Sequence, residues 1–436
     1  MVNSRIALIN ATLADGTVAS VAITGSKISD IGPNAGQDFA AEEKLDCTGL
    51  RLLPGFVDMH THLREPGFEQ SETILSGSKA AAKGGFTAVH AMANTDPVAD
   101  NAAVVEQVLA RGKEAGYVDV FPVGAVTVGL RGEQLAELGS MADSKAQVRV
   151  FSDDGKCVHD ALLMRRALEY VKSFEGVVAQ HAQEPSLTKD AQMNEGAVSA
   201  ELGLAGWPSM AESSIIARDV LIAKHVDSRV HICHVSTVES VEVIRWAKSQ
   251  GIRVTAEVTP HHLILSDDLA RGYNALYKVN PPLRTEADIR AVREGLVDGT
   301  IDIIATDHAP HQSEAKECEW AAAAFGMTGL EVAASVAQEV LIESGSSTWA
   351  RLAEVLSINP AKIAGDNEHG QDLSVGAIAN LVVIDPSAKR VIPAASESKS
   401  RNNPYVGMAL PGKVVHTIFG GYLTVRDGEL SERGRQ

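Results

Sequence analysis

The feature that most constrains this chain is a repeated alternation of short apolar segments with helix-like stretches. Eight such segments lie between about residues 55 and 310, and most of them end in polar side chains. They read GFVDMH, TAVHAMAN, VDVFPVGAV, AQVRVFSDD, GVVAQHA, RVHICHVS, RVTAEVTP and IDIIATDHAP. Near-continuous apolar runs are typical of parallel strands buried on both faces. Eight β–α units predict an α/β fold with a TIM-type (β/α)8 barrel, and an open doubly wound sheet is the alternative with the same local pattern.

The two ends of the chain differ from the middle in their sequence pattern. Residues 1–55 and 374–436 contain short β-like segments, such as RIALINATL and AIANLVVID, broken by Gly, Asp and Pro. Neither end alone can form a sheet large enough to bury a core. We therefore predict a small β-sandwich domain formed from both ends, residues 1–55 and 374–436, around a barrel domain over residues 56–373.

The composition argues against several classes of partner. The formal net charge of −17 argues against a basic surface that would bind nucleic acid or an acidic membrane. No apolar run approaches the ~18 residues that suggest a membrane span, and the first residues lack the pattern of a signal peptide. The four cysteines form no C-x-x-C pair. We expect a cytoplasmic enzyme with a small-molecule substrate.

The segment Asp58-Met59-His60-Thr61-His62 ends the first predicted barrel strand. Residues i and i+2 of a strand point the same way, so His60 and His62 can chelate one metal ion together. With 14 histidines in the chain, a lone H-x-H pair is equally compatible with a structural role.

More ionisable residues stand at the ends of other predicted strands. His181 ends the fifth strand, His234 the sixth and Asp307 the eighth, while Asp153 and Asp154 end the fourth. Active sites of TIM barrels form at this end of the strands, so these side chains predict one metal pocket. Imidazole and carboxylate ligands suit zinc, with manganese, cobalt or iron as alternatives.

Several segments together resemble bacterial dihydroorotases of the type I class, within the amidohydrolase superfamily. They are GFVDMHTHLREPG, MANTDP, FSDDG, HICHVS, AEVTPHHL, NPPLR, ATDHAPH and NPAKIAG, in order through about residues 54–365. The pattern of metal-ligating histidines and aspartates is shared across the superfamily and does not by itself identify the dihydroorotase branch. Arg64 in HLREPG, Asn94, the Asp-Asp-Gly turn and NPPLR narrow the resemblance to the dihydroorotase branch.

The resemblance implies a zinc centre with one or two ions, two being favoured. Many relatives bridge the two ions with a carbamylated lysine on strand four, but this chain has no lysine at that strand end. Alignment to the type I motif puts the bridge on Asp154, with Asp153 as the alternative, and we interpret Lys156 in the following turn as non-ligating. The implied metal ligands are His60, His62, Asp154, His181, His234 and Asp307.

The resemblance also implies a reaction, the reversible hydrolysis of the cyclic amide of (S)-dihydroorotate to N-carbamoyl-L-aspartate in pyrimidine (UMP) biosynthesis. Asp307 would be the catalytic acid–base that passes a proton between the attacking water and the ring nitrogen. The planar fork of Arg64 suits the substrate carboxylate, and a salt bridge to Glu65 or Glu69 is the alternative for this arginine. The implied substrate-binding residues are His62, Arg64, Asn94, Asn280, His311, Phe325 and Gly326.

Two further expectations concern a lid and other histidines. The segment 311–325 (HQSEAKECEWAAAAF) follows the eighth strand, where a lid would lie, and an ordinary loop is the alternative. We interpret His231, close to His234, as a strand or core residue.

Other functions remain as alternatives at this point. An allantoinase or hydantoinase would be expected to carry the strand-four lysine and to lack the carboxylate-binding Arg64. A catalytically silent barrel partner of aspartate transcarbamoylase would be expected to have lost metal ligands. The resemblance further implies a homodimer and a possible association with aspartate transcarbamoylase.

Overall fold

The computed structural model describes residues 4–36 and 39–431. Its strands are β1 (Arg5–Thr12), β2 (Val18–Thr24), β3 (Lys27–Gly32), β4 (Glu43–Asp46), β5 (Arg51–Pro54), β6 (Phe56–Thr61), β7 (Phe86–Ala91), β8 (Asp119–Pro122), β9 (Val150–Phe151), β10 (Val177–Gln180), β11 (Met193–Asn194), β12 (Gly206–Trp207), β13 (Val230–Ile232), β14 (Val254–Val258), β15 (Ile303–Ile304), β16 (Leu381–Val391), β17 (Ala409–Phe419), β18 (Tyr422–Arg426) and β19 (Glu429–Leu430). The α-helices are α1 (Ile74–Lys83), α2 (Ala102–Ala115), α3 (Leu138–Asp143), α4 (Ala161–Val171), α5 (Ala197–Leu202), α6 (Met210–Val226), α7 (Val238–Ser249), α8 (Pro260–Ile264), α9 (Glu286–Asp298), α10 (Ser313–Lys316), α11 (Ala333–Gln338), α12 (Trp349–Ala353) and α13 (Asn359–Ala364). Short 3-10 or π-helical turns cover Val128–Leu130, Lys172–Phe174, Asp267–Gly272, Ala275–Tyr277, Glu339–Glu343 and Glu354–Ile358.

Eight parallel strands form a closed barrel. β6, β7 and β8 make one sheet, and β9, β10, β13, β14 and β15 make a second. A single parallel bridge joins the two sheets at each seam, Thr61 with His308 and Gly124 with Phe151. These bridges close the ring, which confirms the predicted (β/α)8 barrel and excludes the open sheet.

The fourth and eighth barrel strands are shorter than their sequence segments predict. Only Val150–Phe151 of the fourth strand and Ile303–Ile304 of the eighth are paired with neighbouring strands. Past the eighth strand, the backbone N–H of Thr306 donates to the Asp58 carboxylate (3.1 Å), and Asp307 has a φ of 45°. A positive φ is incompatible with an extended strand, so the backbone leaves the sheet where the polar residues begin.

The helices around the barrel begin at recognisable caps. At α1 the Thr73 hydroxyl accepts from the Ser76 N–H (3.1 Å), and the Ser76 hydroxyl accepts from the Thr73 N–H (3.0 Å). This reciprocal pair satisfies two donors that a helix start leaves open. At α2 the cap is Asn101, and Gly116 ends the helix with a φ of 71°, which glycine adopts without steric cost.

Both chain ends contribute to one nine-stranded sheet. Its strand order is β19-β18-β17-β16-β5-β1-β2-β3, with β4 paired to β1. The two ends meet where β5 runs antiparallel to β16, with Leu53 opposite Val382. This confirms a β domain built from both ends, while the boundaries at residues 55/56 and 373/374 stay a prediction. No helix within the described ranges is both long and apolar enough to cross a bilayer.

Candidate metal centre and active site

The predicted metal ligands converge at one end of the barrel. Each lies in or just after a barrel strand, at its carboxyl end, and each is buried. Parallel strands in a barrel all end on the same face, so residues far apart in sequence meet there. The residues brought together are His60, His62, Asp154, His181, His234 and Asp307.

Asp154 lies at the centre of four imidazoles. Its Oδ1 is 3.2 Å from His60 Nε2, 3.3 Å from His181 Nδ1 and 3.5 Å from His234 Nε2. Its Oδ2 is 3.2 Å from His62 Nε2. Burial alone would raise the pKa of Asp154, but the charge of His60 and the hydrogen bonds from the surrounding imidazoles hold it well below its ordinary value. A carboxylate with both oxygens facing different histidines has the geometry that a bridging ligand needs.

Asp307 lies on the side of His60 and His62. Its Oδ1 is 3.1 Å from His62 Nε2 and 3.5 Å from His60 Nε2. Burial would raise the pKa of Asp307, but the charges of these two histidines and the His62 hydrogen bond lower it to about 2. Its φ of 45° and that of His234, 32°, are strained backbone conformations of a kind that clusters at functional sites.

The imidazoles are oriented by acceptors outside the centre. In three of them one ring nitrogen faces a side-chain oxygen that can only accept, so this nitrogen carries the proton. When a metal ion occupies the centre, the other nitrogen would give up its proton and present its lone pair to the ion. The pairs are His60 Nδ1 with Glu257 Oε1 (2.6 Å), His62 Nδ1 with Asn94 Oδ1 (2.9 Å) and His181 Nε2 with Gln183 Oε1 (2.8 Å).

These donor atoms fit a metal cofactor. His60 Nε2 is buried and lies 3.2 Å from Asp154 Oδ1 and 3.5 Å from Asp307 Oδ1, but its angle to these oxygens and to the other described residues does not make a hydrogen bond. His181 Nδ1 and His234 Nε2 lie 2.9 Å apart, with Asp154 beside both. One set of ligand atoms, from His60, His62 and Asp307, lies within 4.8 Å of one another, and a second comes from His60, Asp154 and His234. Imidazole nitrogens and carboxylate oxygens that converge in this way are a donor set for a divalent metal such as zinc.

Asp153 points away from this centre. Its Oδ1 accepts from the backbone N–H groups of Val126 (2.8 Å) and Thr127 (2.9 Å), and its Oδ2 accepts from the Thr127 hydroxyl. Lys156 is exposed in the turn that follows. The structure therefore brings Asp154, and neither of these two residues, to the four imidazoles.

The sequence analysis missed Glu257, which stands behind the ligands on β14. Its carboxylate accepts from His60 Nδ1 (2.6 Å), His231 Nε2 (3.0 Å) and the His234 backbone N–H (3.2 Å). Burial would raise the pKa of Glu257, but the His60 charge and these hydrogen bonds lower it below its ordinary value. His231 is buried on β13 as predicted, and its contact with Glu257 also ties it to the ligand network.

Arg64 lies beside the centre, in contact with the loop after β15. Its Nε donates to the Pro310 carbonyl (3.1 Å), and its Nη2 is 3.3 Å from His311 Nε2. Burial lowers the pKa of Arg64 to about 10, which leaves the guanidinium charged at neutral pH. The Glu65 carboxylate accepts from the Ile74 N–H, and the Glu69 carboxylate accepts from the Gly67 N–H. The structure therefore shows no salt bridge from Arg64 to either glutamate, which was the alternative for this arginine.

His311 links Arg64 to the Phe325–Gly326 backbone. Its Nε2 donates to the Phe325 carbonyl (2.8 Å), while burial and the Arg64 charge lower the pKa of His311 to about 3. Gly326 has a φ of 145°, and a Cβ there would lie 2.8 Å from the Ala309 carbonyl. This backbone conformation requires glycine.

Asn280 reaches the centre indirectly, through Gln183. Its Nδ2 donates to Gln183 Oε1 (3.1 Å), the same oxygen that orients His181. Its Oδ1 is buried without a hydrogen-bond partner among residues 4–36 and 39–431. Asn94, predicted as a substrate anchor, accepts from His62 Nδ1 through its Oδ1 (2.9 Å), and its role in substrate binding stays a prediction.

The segment 311–325 is held down by a buried lysine. Lys316 Nζ donates to the carbonyls of Ala324 (2.8 Å), Gly326 (3.0 Å) and Lys278 (3.0 Å). The ammonium of Lys278 in turn donates to the Trp320 carbonyl (2.6 Å). The segment covers the Arg64 side of the centre in this conformation, and its opening as a lid stays a prediction.

Comparison with known proteins agrees with this geometry. A family model described as dihydro-orotase-like matches residues 49–240. The dihydroorotase of Streptomyces coelicolor is 60% identical over 429 residues, covering 98% of this chain and 100% of the relative. That of Mycobacterium tuberculosis is 51% identical over 417 residues, covering 95% and 97%. Among solved structures, the L-hydantoinase (dihydropyrimidinase) from Arthrobacter aurescens matches with a TM-score of 0.87 at 25% identity, covering 98% of this chain and 97% of that one.

The barrel, the sheet from both chain ends and the converging ligands define an enzyme of the amidohydrolase class, one that acts on cyclic amides. Relatives that are 51–60% identical over nearly the full length identify the family within this class. The chain belongs to the dihydroorotase family. The hydantoinase-type structures share the fold at 21–25% identity.

Proposed function

We propose that this enzyme catalyses the reversible hydrolysis of (S)-dihydroorotate to N-carbamoyl-L-aspartate. The observation that carries the proposal is the position of Arg64, a buried cation beside the converging ligands. Its Nε donates to the Pro310 carbonyl in the loop after β15, and its Nη2 lies against the His311 ring, whereas Nη1 makes no hydrogen bond to the described residues. A fixed guanidinium with a free N–H matches a substrate that carries a carboxylate next to the reacting amide.

The ligand geometry supports a two-zinc centre. His60, His62 and Asp307 would hold one ion, His181 and His234 the other, and Asp154 would contact both. When bound, zinc lowers the pKa of a coordinated water from ~16 toward ~7 and polarises the amide carbonyl.

Asp307 would move the proton in both directions of the reaction. With its pKa near 2 it is ionised at neutral pH and can accept a proton from the attacking water. As the water oxygen bonds to the carbonyl carbon and the C–N bond breaks, Asp307 delivers that proton to the ring nitrogen. The carbonyl carbon becomes a carboxyl group, which releases the second proton of the water to solvent at neutral pH. The contact of Asp307 with His62 (3.1 Å) fixes its carboxylate for both steps.

Further residues would bind and enclose the substrate. His311 and the Phe325–Gly326 backbone continue from Arg64 along one wall, so the ring amide can bind where the carboxylate is already fixed. The unpartnered buried Oδ1 of Asn280 can accept from a ring N–H. The segment 311–325 would exclude water once the substrate is bound.

A substrate panel tests the proposal. Zinc-replete enzyme is assayed with dihydroorotate, hydantoin and allantoin, and kcat/KM is expected to be highest for dihydroorotate by orders of magnitude. Treatment with a chelator should abolish this activity, and added zinc should restore it in step with zinc content measured by elemental analysis. Preference for hydantoin or allantoin would overturn the substrate assignment, and full turnover by metal-free protein would overturn the metal assignment.

The resemblance to type I dihydroorotases also supports a homodimer and an association with aspartate transcarbamoylase, in a cytoplasmic setting. Light scattering on the purified chain, alone and mixed with aspartate transcarbamoylase, tests both assemblies. A monomer in the sample of the chain alone would overturn the homodimer. Two separate species in the mixture, each with the mass it has alone, would overturn the association.

A further inference from the structure

The face of the barrel opposite the metal centre carries a cluster of cations that the reaction does not use. Five basic side chains line one cavity of about 480 Å³: Arg149, Lys172, Arg229, Arg253 and Lys362. The three arginines each stand directly before a barrel strand, β9, β13 and β14, whereas the metal ligands lie at the carboxyl ends of the strands. The cavity is therefore at the amino-terminal end of the barrel, separate from the active site.

This concentration of positive charge is unusual in a chain whose net charge is −17. Two carboxylates lie close to the cluster. Asp227 pairs with Arg253 (2.9 Å) and Lys172 (3.2 Å), and Glu175 lines the cavity. Five cations against two carboxylates leave three positive charges without a counter-charge from either residue.

The half-buried arginines of the cluster are held in place by backbone carbonyls. Arg229 Nη1 donates to the Ile363 carbonyl (3.1 Å) and its Nη2 to the Glu175 carbonyl, and Arg149 Nη1 donates to those of Ala142 (2.9 Å) and Val148 (3.0 Å). These contacts use only part of each guanidinium, so N–H groups remain for a ligand. They also reduce the side-chain entropy that binding would otherwise cost.

A buried hydroxyl independently points to a ligand. Ser228 lines the same cavity and is 2% exposed, and its Oγ has no hydrogen-bond partner in the described ranges. Leaving a buried polar atom unpaired is unfavourable unless a ligand or water satisfies it. Burial and the nearby Arg253 charge also lower the pKa of Arg229, and a bound anion would relieve that repulsion.

We propose that this cavity is a binding site for a small molecule that carries a diphosphate group. Guanidinium forks match pairs of phosphate oxygens, and two or three negative charges on one ligand would balance the surplus of the cluster. The volume is within the range of small-molecule sites, so a nucleoside diphosphate fits as well as free diphosphate.

Calorimetric titration of the full-length, zinc-loaded enzyme tests the site, with pyrophosphate and ADP as probes and adenosine as the phosphate-free control. The cavity variant is Arg253→Gln with Lys362→Gln, two exposed residues whose loss leaves the buried arginines in place. The matched control is Arg245→Gln with Lys224→Gln, exposed cations on α7 and α6 outside the cavity. Zinc content and circular dichroism establish that each variant is folded.

We expect pyrophosphate and ADP to bind the wild type, with adenosine inert and with Kd rising as salt is added. The cavity variant should raise Kd at least about tenfold, because charge-assisted hydrogen bonds are lost, while the control stays near wild type. Tighter binding of ADP than of pyrophosphate would identify a nucleotide as the ligand, and equal affinity would identify the diphosphate alone. Absence of binding at millimolar probe would overturn the proposal. A cavity variant that binds the probe as tightly as the wild type would also overturn it, because the probe would then be bound at the metal centre. An equal loss of affinity in the control variant would overturn it as well.

Discussion

Replacing Glu257 by glutamine is expected to weaken zinc binding without removing any metal ligand. The Glu257 carboxylate is fully buried and accepts from His60 Nδ1 (2.6 Å) and from His231 Nε2 (3.0 Å). Glutamine has nearly the same shape but only one acceptor oxygen and no charge. It can keep the His60 ring in place, but it cannot make the imidazole as basic toward a metal.

The size of the effect follows from the loss of that charge. Removing a hydrogen-bond partner of a ligating histidine lowers metal affinity about 10–100-fold, which corresponds to about 1.4–2.7 kcal/mol. The lost charge-assisted hydrogen bond to His60 or His231 should also reduce folding stability by about 1.5–3 kcal/mol. Activity in excess zinc should recover most of the way toward wild type, because the ligands and Asp307 are unchanged.

Competition with a chromophoric zinc chelator measures the affinity, and kcat is recorded at limiting and saturating zinc. The control is Asp267→Asn, which removes another buried carboxylate, one that accepts from Asn194 Nδ2 (2.8 Å) and contacts no metal ligand. It should leave zinc affinity unchanged. The reasoning is refuted if Glu257→Gln binds zinc as tightly as wild type, or if Asp267→Asn weakens zinc binding equally.

Three other predictions concern the ligands, the substrate and pH. Asp154→Ala should lose zinc and activity, whereas Lys156→Ala, at an exposed position, should keep both; zinc analysis showing the reverse would contradict the placement of Asp154. Arg64→Lys should lower kcat/KM for dihydroorotate at least about tenfold, because an ammonium cannot form two parallel hydrogen bonds to a carboxylate, with little loss on hydantoin; equal losses would identify a structural arginine. Because the Asp307 pKa is lowered to about 2, this carboxylate stays ionised throughout the assay range, so the pH dependence would be set by the water whose pKa bound zinc lowers toward ~7. Hydrolysis should therefore rise with pH to a plateau above neutrality, while cyclisation, which consumes a proton, should rise as pH falls. Asp307→Asn should suppress both directions, and a variant that retains wild-type cyclisation would assign the proton transfer to another residue.

The barrel and its ligand positions could be predicted because they are local features of the sequence. The i, i+2 spacing of His60 and His62 and the polar residues that end each apolar run are visible without any tertiary contact. Glu257 could not be found in this way. It lies inside an apolar strand segment, and its partner His60 is 197 positions away in the chain, so only closure of the barrel brings the two together.

The choice between Asp153 and Asp154 shows a second limit. Adjacent residues at a strand end point in different directions, and the sequence does not say which one faces the centre. The Val126 and Thr127 N–H groups donate to Asp153, and this holds the Asp154 side chain toward the metal centre. Both groups belong to a loop about 27 residues before Asp153 in the sequence.

The pairing of β5 with β16 has a consequence for synthesis on the ribosome. β5 ends at residue 54, but its neighbour in the sheet begins at residue 381, after the whole barrel sequence has been translated. At typical rates of about 5–20 residues per second, the β5 edge waits tens of seconds for its partner. During that interval the apolar strands β1, β2 and β5 expose an unpaired edge of the kind that promotes aggregation. Nascent chains stalled before residue 381 are therefore the species in which this protein most needs a chaperone.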